Sequence, residues 1–364
     1  MLKYIVTNAL NFMIHQEMAN VTILIFSFER HNQLLRAIKF YSAYGLKICV
    51  LDGSQVPLDE SAIAYYPSLD YYSFRNESYV SRMSRVFGKL HTSYTCLVAD
   101  DDYILPSGIL ASILLLDSMG GRSKCSGGIP FKLNYLNKDI SINVWNHWSF
   151  PISRQCIDSD ARANARFLCN VIASVQTALY VYLVYDTNYL FSLFSAHLAF
   201  AQHIARPEMF ESFTAGMNIV RGNALLHDEP FMLRGFTESN HTGLTDIDES
   251  HHPDPRIPSF RKGLGLERLV RFLARYLTLG GCENIEAIRF IKIYFEQQLW
   301  NEAFLWGDGG ECSLPALFPQ FYAEHGRSLL PVLENLNLSS KFCNDPQFTD
   351  NEISLLSRMI SSPI

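Results

Sequence analysis

The sequence has no run of lysine and arginine long enough to track a nucleic-acid backbone, and its 364 residues carry a formal net charge of −6. Without a basic stripe, nucleic acid is not expected as a partner. No CxxC pair occurs among the 8 cysteines, and several lie inside apolar runs such as KICVLD and YTCLVAD. That usage suits buried thiols in a reducing compartment rather than a disulfide framework. A membrane-spanning stretch is also missing at the start, where MLKYIVTNALNFMIHQEMAN is interrupted by polar residues and lacks a cleavage site of small residues. The expectation is a cytoplasmic protein, with a short amphipathic N-terminal helix as the segment able to touch a membrane face. No internal repeat is visible. What the chain does have is apolar material, 48% hydrophobic and 13% aromatic, enough for two domains or one elaborated domain.

The apolar material is ordered. VTILIFSF (21–28) is a continuous β-rich run, and ERHNQLLRAIKFYSAYG after it places Leu34, Leu35, Ile38 and Tyr41 at helical spacing before a Gly45 stop. LKICVLDGS then reads as a second buried strand closing on Asp52-Gly53-Ser54. This β-α-β opening predicts parallel strands with functional groups at their carboxyl ends. A weaker strand is expected at LDYYSF, a helix around SYVSRMSRVFGKLH, and a strand at YTCLVA. Further on come a helix (SGILASILLLDSM), a strand (IPFKLNYL), an aromatic stretch of mixed signals (165–194), and a helix from Pro207 followed by a Gly222 stop and a short strand. TESNHTGLTDIDESHHPDP is polar and reads as linker or loop, and beyond it the periodicity is helical. The resulting division is an N-terminal segment (1–20), an α/β domain (21–254) and a helical C-terminal region (255–364).

Two strand ends carry acid. Asp52 closes one, and Asp100, Asp101 and Asp102 close the strand YTCLVA. Two carboxylates about 4 Å apart repel by roughly 4 kcal/mol at an effective dielectric near 20, so the trio calls for screening by water and salt or by a cation.

In this order and spacing, VTILIFSFERHNQLLRAIKFY, VLDGS and VADDDYILPSGI resemble the start of nucleotide-sugar glycosyltransferases with the GT-A fold, in particular bacterial family 2-like enzymes of capsule and surface polysaccharide synthesis. The resemblance spans residues 20–240. It implies a GT-A (Rossmann-like) α/β fold: a mixed, mainly parallel sheet flanked by helices, with the helical C-terminal extension outside it. It also implies an inverting transfer that uses a nucleotide-sugar donor, a divalent metal (Mn2+ or Mg2+) and a glycan or lipid-linked acceptor. A cation suits this chemistry because negative charge builds on the departing diphosphate.

Residue by residue, the resemblance places Asp101 and Asp102 at the metal, with Asp100 and Asp101 near the ribose and donor, in no fixed order. Ala99 stands where the family often has its first Asp. Asp52 falls at the position that hydrogen-bonds the base or ribose, and Ser27 to Arg30 where the first strand contacts the base. FESFTAGMNIVRGNALLHDEPFMLR matches the segment carrying the base: Glu211 is the candidate, ahead of Glu208 and Asp228, and Ser212 takes the position that most often bears the acid. A loop over the diphosphate would contain Arg234 and His241, the histidine completing the metal shell. Arg82 and Arg85 could face the donor phosphates, Arg85 being preferred. The pair His251 and His252 reads as plain linker.

Two other readings compete. A nucleotidyltransferase shares such a core but would show a Gly-rich, Lys/Arg-bearing loop where FSFERHNQ stands. A degenerate glycosyltransferase fold used for binding or assembly is motivated by Ala99 and Ser212. The C-terminal helices are available for the acceptor, a membrane surface, a partner subunit or a second copy in a homo-oligomer.

Overall fold

The computed structural model describes residues 18–75, 77–86, 88–136, 139–144, 180–199, 207–221, 223–236, 264–279, 282–289 and 291. The opening is as the periodicity predicts: β1 (Val21–Ser27), α1 (His31–Ser42) and β2 (Lys47–Asp52). Gly45 follows α1 at φ +69, a left-handed turn that a side chain would disfavour. Next come α2 (Glu60–Ile63), β3 (Leu69–Ser73), α3 (Tyr79–Ser84) and β4 (Tyr94–Ala99). The α3 helix is shorter than expected. Ser78 caps it by accepting from Ser81 N, and it closes at Arg85, ahead of a left-handed Gly88.

After β4 the chain forms β5 (Asp102–Ile104), α4 (Pro106–Ser118), β6 (Cys125–Leu136) and β7 (Asp139–Val144). Then follow β8 (Val184–Asp186), α5 (Thr187–Ala199), α6 (Pro207–Val220), β9 (Ala224–Phe236) and α7 (Leu264–Leu279). β5, β7 and β9 depart from the sequence reading, β7 as an unexpected strand antiparallel to β6. β5 was not anticipated, because three residues give no periodicity; it exists through antiparallel pairing with β9. β9, expected to be short, runs for 13 residues and lies parallel to β6 through a register shift.

Among the described residues, nine strands join one sheet in the order β3-β2-β1-β4-β8-β6-β9-β5, with β7 on β6. The first four are parallel neighbours, and antiparallel strands enter beyond β4. The fold is therefore the expected α/β class, a mixed sheet flanked by helices. Strand alternation divides the core. Val21, Ile23 and Ile25 of β1 face one side with Leu34, Ile38 and Tyr41 of α1 and Ile109 and Ile113 of α4. Leu24 and Phe26 face the other, with Leu190 and Phe194 of α5 and Phe213 and Met217 of α6.

That second cluster also takes Val270, Leu273, Ala274 and Leu277 of α7, an apolar stripe at helical spacing. This part of the C-terminal region thus packs on the same core as the sheet. Cys49, Cys96, Cys125 and Cys282 are free and buried, as expected of core thiols, and burial pushes the Cys49 thiol up to about 12. Among the described residues, no helix is long and apolar enough to cross a membrane.

Candidate functional site

Parallel registration brings the functional strand ends together. Ser27 lies beside Asp52 across β1 and β2, and Phe26 beside Ala99 across β1 and β4. Side chains just past these positions therefore share the carboxyl edge of the sheet, the usual place for a site in an open α/β fold.

All three acids of the trio are buried. Asp100 accepts from Ser27 Oγ at 2.8 Å and from Arg30 Nη1 at 3.3 Å, and the same nitrogen reaches Asp101 Oδ2 at 2.8 Å. Burial opposes the charge of Arg30, but Asp101 and Asp100 outweigh that effect and raise its pKa above the ordinary value. Burial and the neighbouring Asp101 carboxylate push the Asp100 carboxyl up to about 7, against the pull of Arg30 and Ser27. A single guanidinium does not neutralise the cluster.

Asp102 faces a different cation. It opens β5, where it is registered opposite Arg234 of β9. Tertiary contacts hold this short strand: Ile104 N donates to Tyr41 Oη at 2.8 Å, and the Tyr103 ring meets Phe40 edge-on at 5.4 Å. Burial works against the Arg234 charge, yet Asp102, Glu211, Tyr182 and Asp101 together raise its pKa. Arg234 thus feels both the acidic trio and the candidate base on α6.

Glu211 sits in the second turn of α6, not at its first residue. Its Oε1 accepts from Tyr182 Oη at 2.6 Å, and Tyr182 comes from the turn just before β8. Burial, then the charges of Glu211 and Asp102 and the hydroxyl of Tyr79, push the Tyr182 hydroxyl well above its ordinary value. It remains a neutral donor.

Asp52, the expected partner of the base or ribose, is engaged within the protein. It is fully buried; Oδ1 accepts from Ser54 N at 2.9 Å and Ser54 Oγ at 2.5 Å, while Oδ2 accepts from Tyr71 Oη at 2.5 Å. His31 Nε2 lies 3.5 Å from Oδ2. The carboxylate is engaged in shaping its own loop. Glu29, in the left-handed region at φ 55, fastens the neighbouring loop to it: Glu29 N donates to Ser54 Oγ, and Glu29 Oε1 accepts from Gln55 N, both at 2.7 Å.

The two arginines sit differently. Arg85 points outward, its side chain 60% exposed and 3.3 Å from Glu77, and the structure does not bring it to the cluster. Arg82 is buried instead and donates to the carbonyls of Ser27 and Leu51 at 2.7 and 2.8 Å, tying the ends of β1 and β2. A Cβ on Gly53 would lie 2.7 Å from its guanidinium, so glycine there makes room for the arginine. Arg82 lies within α3, whereas Arg85 is the residue that caps its end.

Of the expected site residues, Ser27, Arg30, Asp100, Asp101, Asp102 and Glu211 are joined by contacts or by charges felt in common. His241, His251 and His252 lie outside the described residues, as do the side chains of Glu208, Ser212 and Asp228. Sequence reasoning missed Tyr182, Tyr71, His31 and Glu29. Tyr182 lay hidden in the aromatic run TALYVYLVYDTNY, where nothing separates a functional tyrosine from core.

Among the described residues, no three His, Cys, Asp or Glu side chains converge as a ready-made metal cluster. A divalent ion that binds through one or two carboxylates and takes its other ligands from substrate phosphates needs no such cluster. The surplus charge on the trio fits that mode.

No protein-family profile and no curated protein matches the chain. Among solved structures, the chain is similar to S. aureus TarS 1-349, with 9% identity and a TM-score of 0.44 over 87% of this chain and 79% of that one. For TarS 1-349 in complex with UDP-GlcNAc the figures are 12%, 0.43, 87% and 80%, and for the complex with UDP 9%, 0.44, 87% and 79%.

Proposed function

We propose that the chain is an inverting glycosyltransferase that moves a sugar from a nucleotide-sugar donor to a glycan or lipid-linked acceptor in surface polysaccharide synthesis. The observation that carries this reading is the approach of two acidic centres with different surroundings. Asp100, Asp101 and Asp102 end the parallel strands, and Glu211 comes from α6, with Arg234 under the charge of both. Glu211 takes the proton of the acceptor hydroxyl while that oxygen bonds the sugar's anomeric carbon. The bond from that carbon to the donor phosphate breaks, and the nucleoside diphosphate leaves with the electron pair. Arg30 and Arg234 set positive charge beside the departing diphosphate, where charge compensation lowers the barrier. Asp101 and Asp102 would hold a divalent cation, with His241 as a further ligand; Mn2+ or Mg2+ bound there supplies added charge neutralisation on the diphosphate. Asp52 shapes the nucleoside side of the site through Ser54, Tyr71 and His31.

In this reading the protein works in the cytoplasm or at the inner face of a membrane, where lipid-linked acceptors are accessible. The test is incubation with a panel of UDP-, GDP- and CMP-sugars, with Mn2+ or with chelator. Slow, metal-stimulated donor hydrolysis is expected with one nucleotide class. Neither hydrolysis nor nucleotide binding across the panel would overturn the proposal. A second reading, a catalytically silent binding protein of the same fold, is favoured by the arginines already facing the trio; it expects nucleotide binding with no turnover.

A further inference from the structure

The geometry points to Tyr182 as the positioning residue of the proposed base: its hydroxyl, donating to Glu211 Oε1 at 2.6 Å, fixes the direction of that carboxylate and leaves Oε2 for the incoming proton. The inference rests on the reading of Glu211 as base. The two partners come from separate elements, Glu211 from α6 and Tyr182 from the turn before β8, so the bond joins the base to the strand that pairs antiparallel with β4. The base is thereby referred to the same strand that ends in the acidic trio.

A neutral hydroxyl that donates to a carboxylate favours its ionised form over the acid. Tyr182 meets that condition, since burial and nearby negative charge keep its hydroxyl protonated. The groups felt at this position come from every side: Tyr79 on α3, Arg234 on β9, and Asp102 at the start of β5. Tyr79 is a partly buried neutral phenol, and Arg234 favours the charged carboxylate. Asp102 opposes it and is itself offset by Arg234. The hydrogen bond from Tyr182 fixes the direction of the carboxylate. Its ring packs at the margin of both core clusters, which phenylalanine can preserve while removing the hydroxyl alone.

The test is carbon-13 NMR of full-length protein labelled at the glutamate carboxyl, with the Glu211 signal identified by its loss in E211Q. In Y182F the Glu211 midpoint should rise by about 1 to 2 pH units, the size expected for losing a hydrogen bond to a charged group. In donor hydrolysis, the acidic limb of the rate profile should move up by the same amount while the donor KM stays constant. An unchanged Glu211 midpoint in folded Y182F overturns the inference, whatever the catalytic activity. A shifted midpoint in a protein that hydrolyses no donor upholds the coupling and removes the proposed reaction instead. Should Y182F not fold, the wild type gives the same reading: the Tyr182 ring-carbon signal must titrate with Glu211 and cease to do so in E211Q, and a signal indifferent to Glu211 overturns the inference.

Discussion

The carboxyl ends of β2 and β4 both present aspartate, one strand apart in the sheet order, and they treat it in opposite ways. Asp52 is buried with its oxygens accepting from the backbone N–H and hydroxyl of Ser54 in the loop after it and from Tyr71 on the adjacent β3. The acids after β4 are equally buried but meet cations, Arg30 on one side and Arg234 on the other, and they remain in surplus, as the raised Asp100 carboxyl shows. A carboxylate satisfied by neutral donors is finished structure. One balanced by side-chain cations keeps a charge that a bound cation could also meet. The same residue at the same kind of strand end is therefore satisfied by hydroxyls and a backbone N–H in one place and faces cations in the next.

The largest effect should separate these two roles. D102N should lower donor hydrolysis by about a hundredfold or more with little change in Tm, and E211Q should lower kcat by about 10² to 10⁴ without weakening donor binding. Steady-state kinetics alongside nucleotide titration would read both. The contrast fails if D52N, assayed where it is still folded, loses as much donor binding as D102N; Asp52 would then be reaching the ligand directly.

On stability the order reverses. D52A strips the acceptor from Ser54 and Tyr71 and should cost about 3 kcal/mol in denaturant unfolding, given the worth of hydrogen bonds to a charged group. R82A should cost about 2 kcal/mol, because the carbonyls of Ser27 and Leu51 lose a buried donor. A variant at Asp102 as destabilising as D52A would place both ends in one structural class.

The strand ends that frame this contrast were legible beforehand, and the contrast itself was hidden for physical reasons. The β-α-β opening followed from apolar periodicity, and the acids could be placed at strand ends because buried strands stop where charge begins. Ser27, Arg30 and the trio were found together since parallel pairing fixes their proximity once the strands are known. Burial, however, is a tertiary property. Nothing in VLDGS distinguishes an aspartate saturated by Tyr71, nineteen positions away, from one facing a ligand. β5 depends wholly on its partner strand, and Tyr182 is one tyrosine in an aromatic run.

A smaller effect sharpens the surplus charge at β4. The Asp100 carboxyl, at about 7 when folded, lies above the ordinary carboxylate value near 3.9 in the unfolded chain. Between those two values the folded state keeps a proton that the unfolded state has released, so Asp100 removes stability as pH rises through this window and nothing further above it. D100N lacks the ionisation. Its stability relative to wild type should therefore improve by about 2 kcal/mol between pH 5 and pH 8. Unfolding curves at the two pH values test this, and a pH-independent difference would mean that Arg30 already neutralises the site.

The smallest expected effect belongs to the arginine that sequence position favoured. Arg85 makes a solvent-exposed pair with Glu77, and such pairs contribute little because water screens the attraction and ordering two long side chains opposes it. R85A should leave Tm, donor affinity and kcat without measurable change, in contrast to R82A three positions earlier. This near-zero result is informative because α3 lies beside the site and ends in a turn. Loss of donor binding in R85A at unchanged Tm would show that Arg85 leaves Glu77 for the diphosphate when the donor arrives. The charge surplus at β4 would then be matched by a cation recruited from the surface as well as by those already facing the trio.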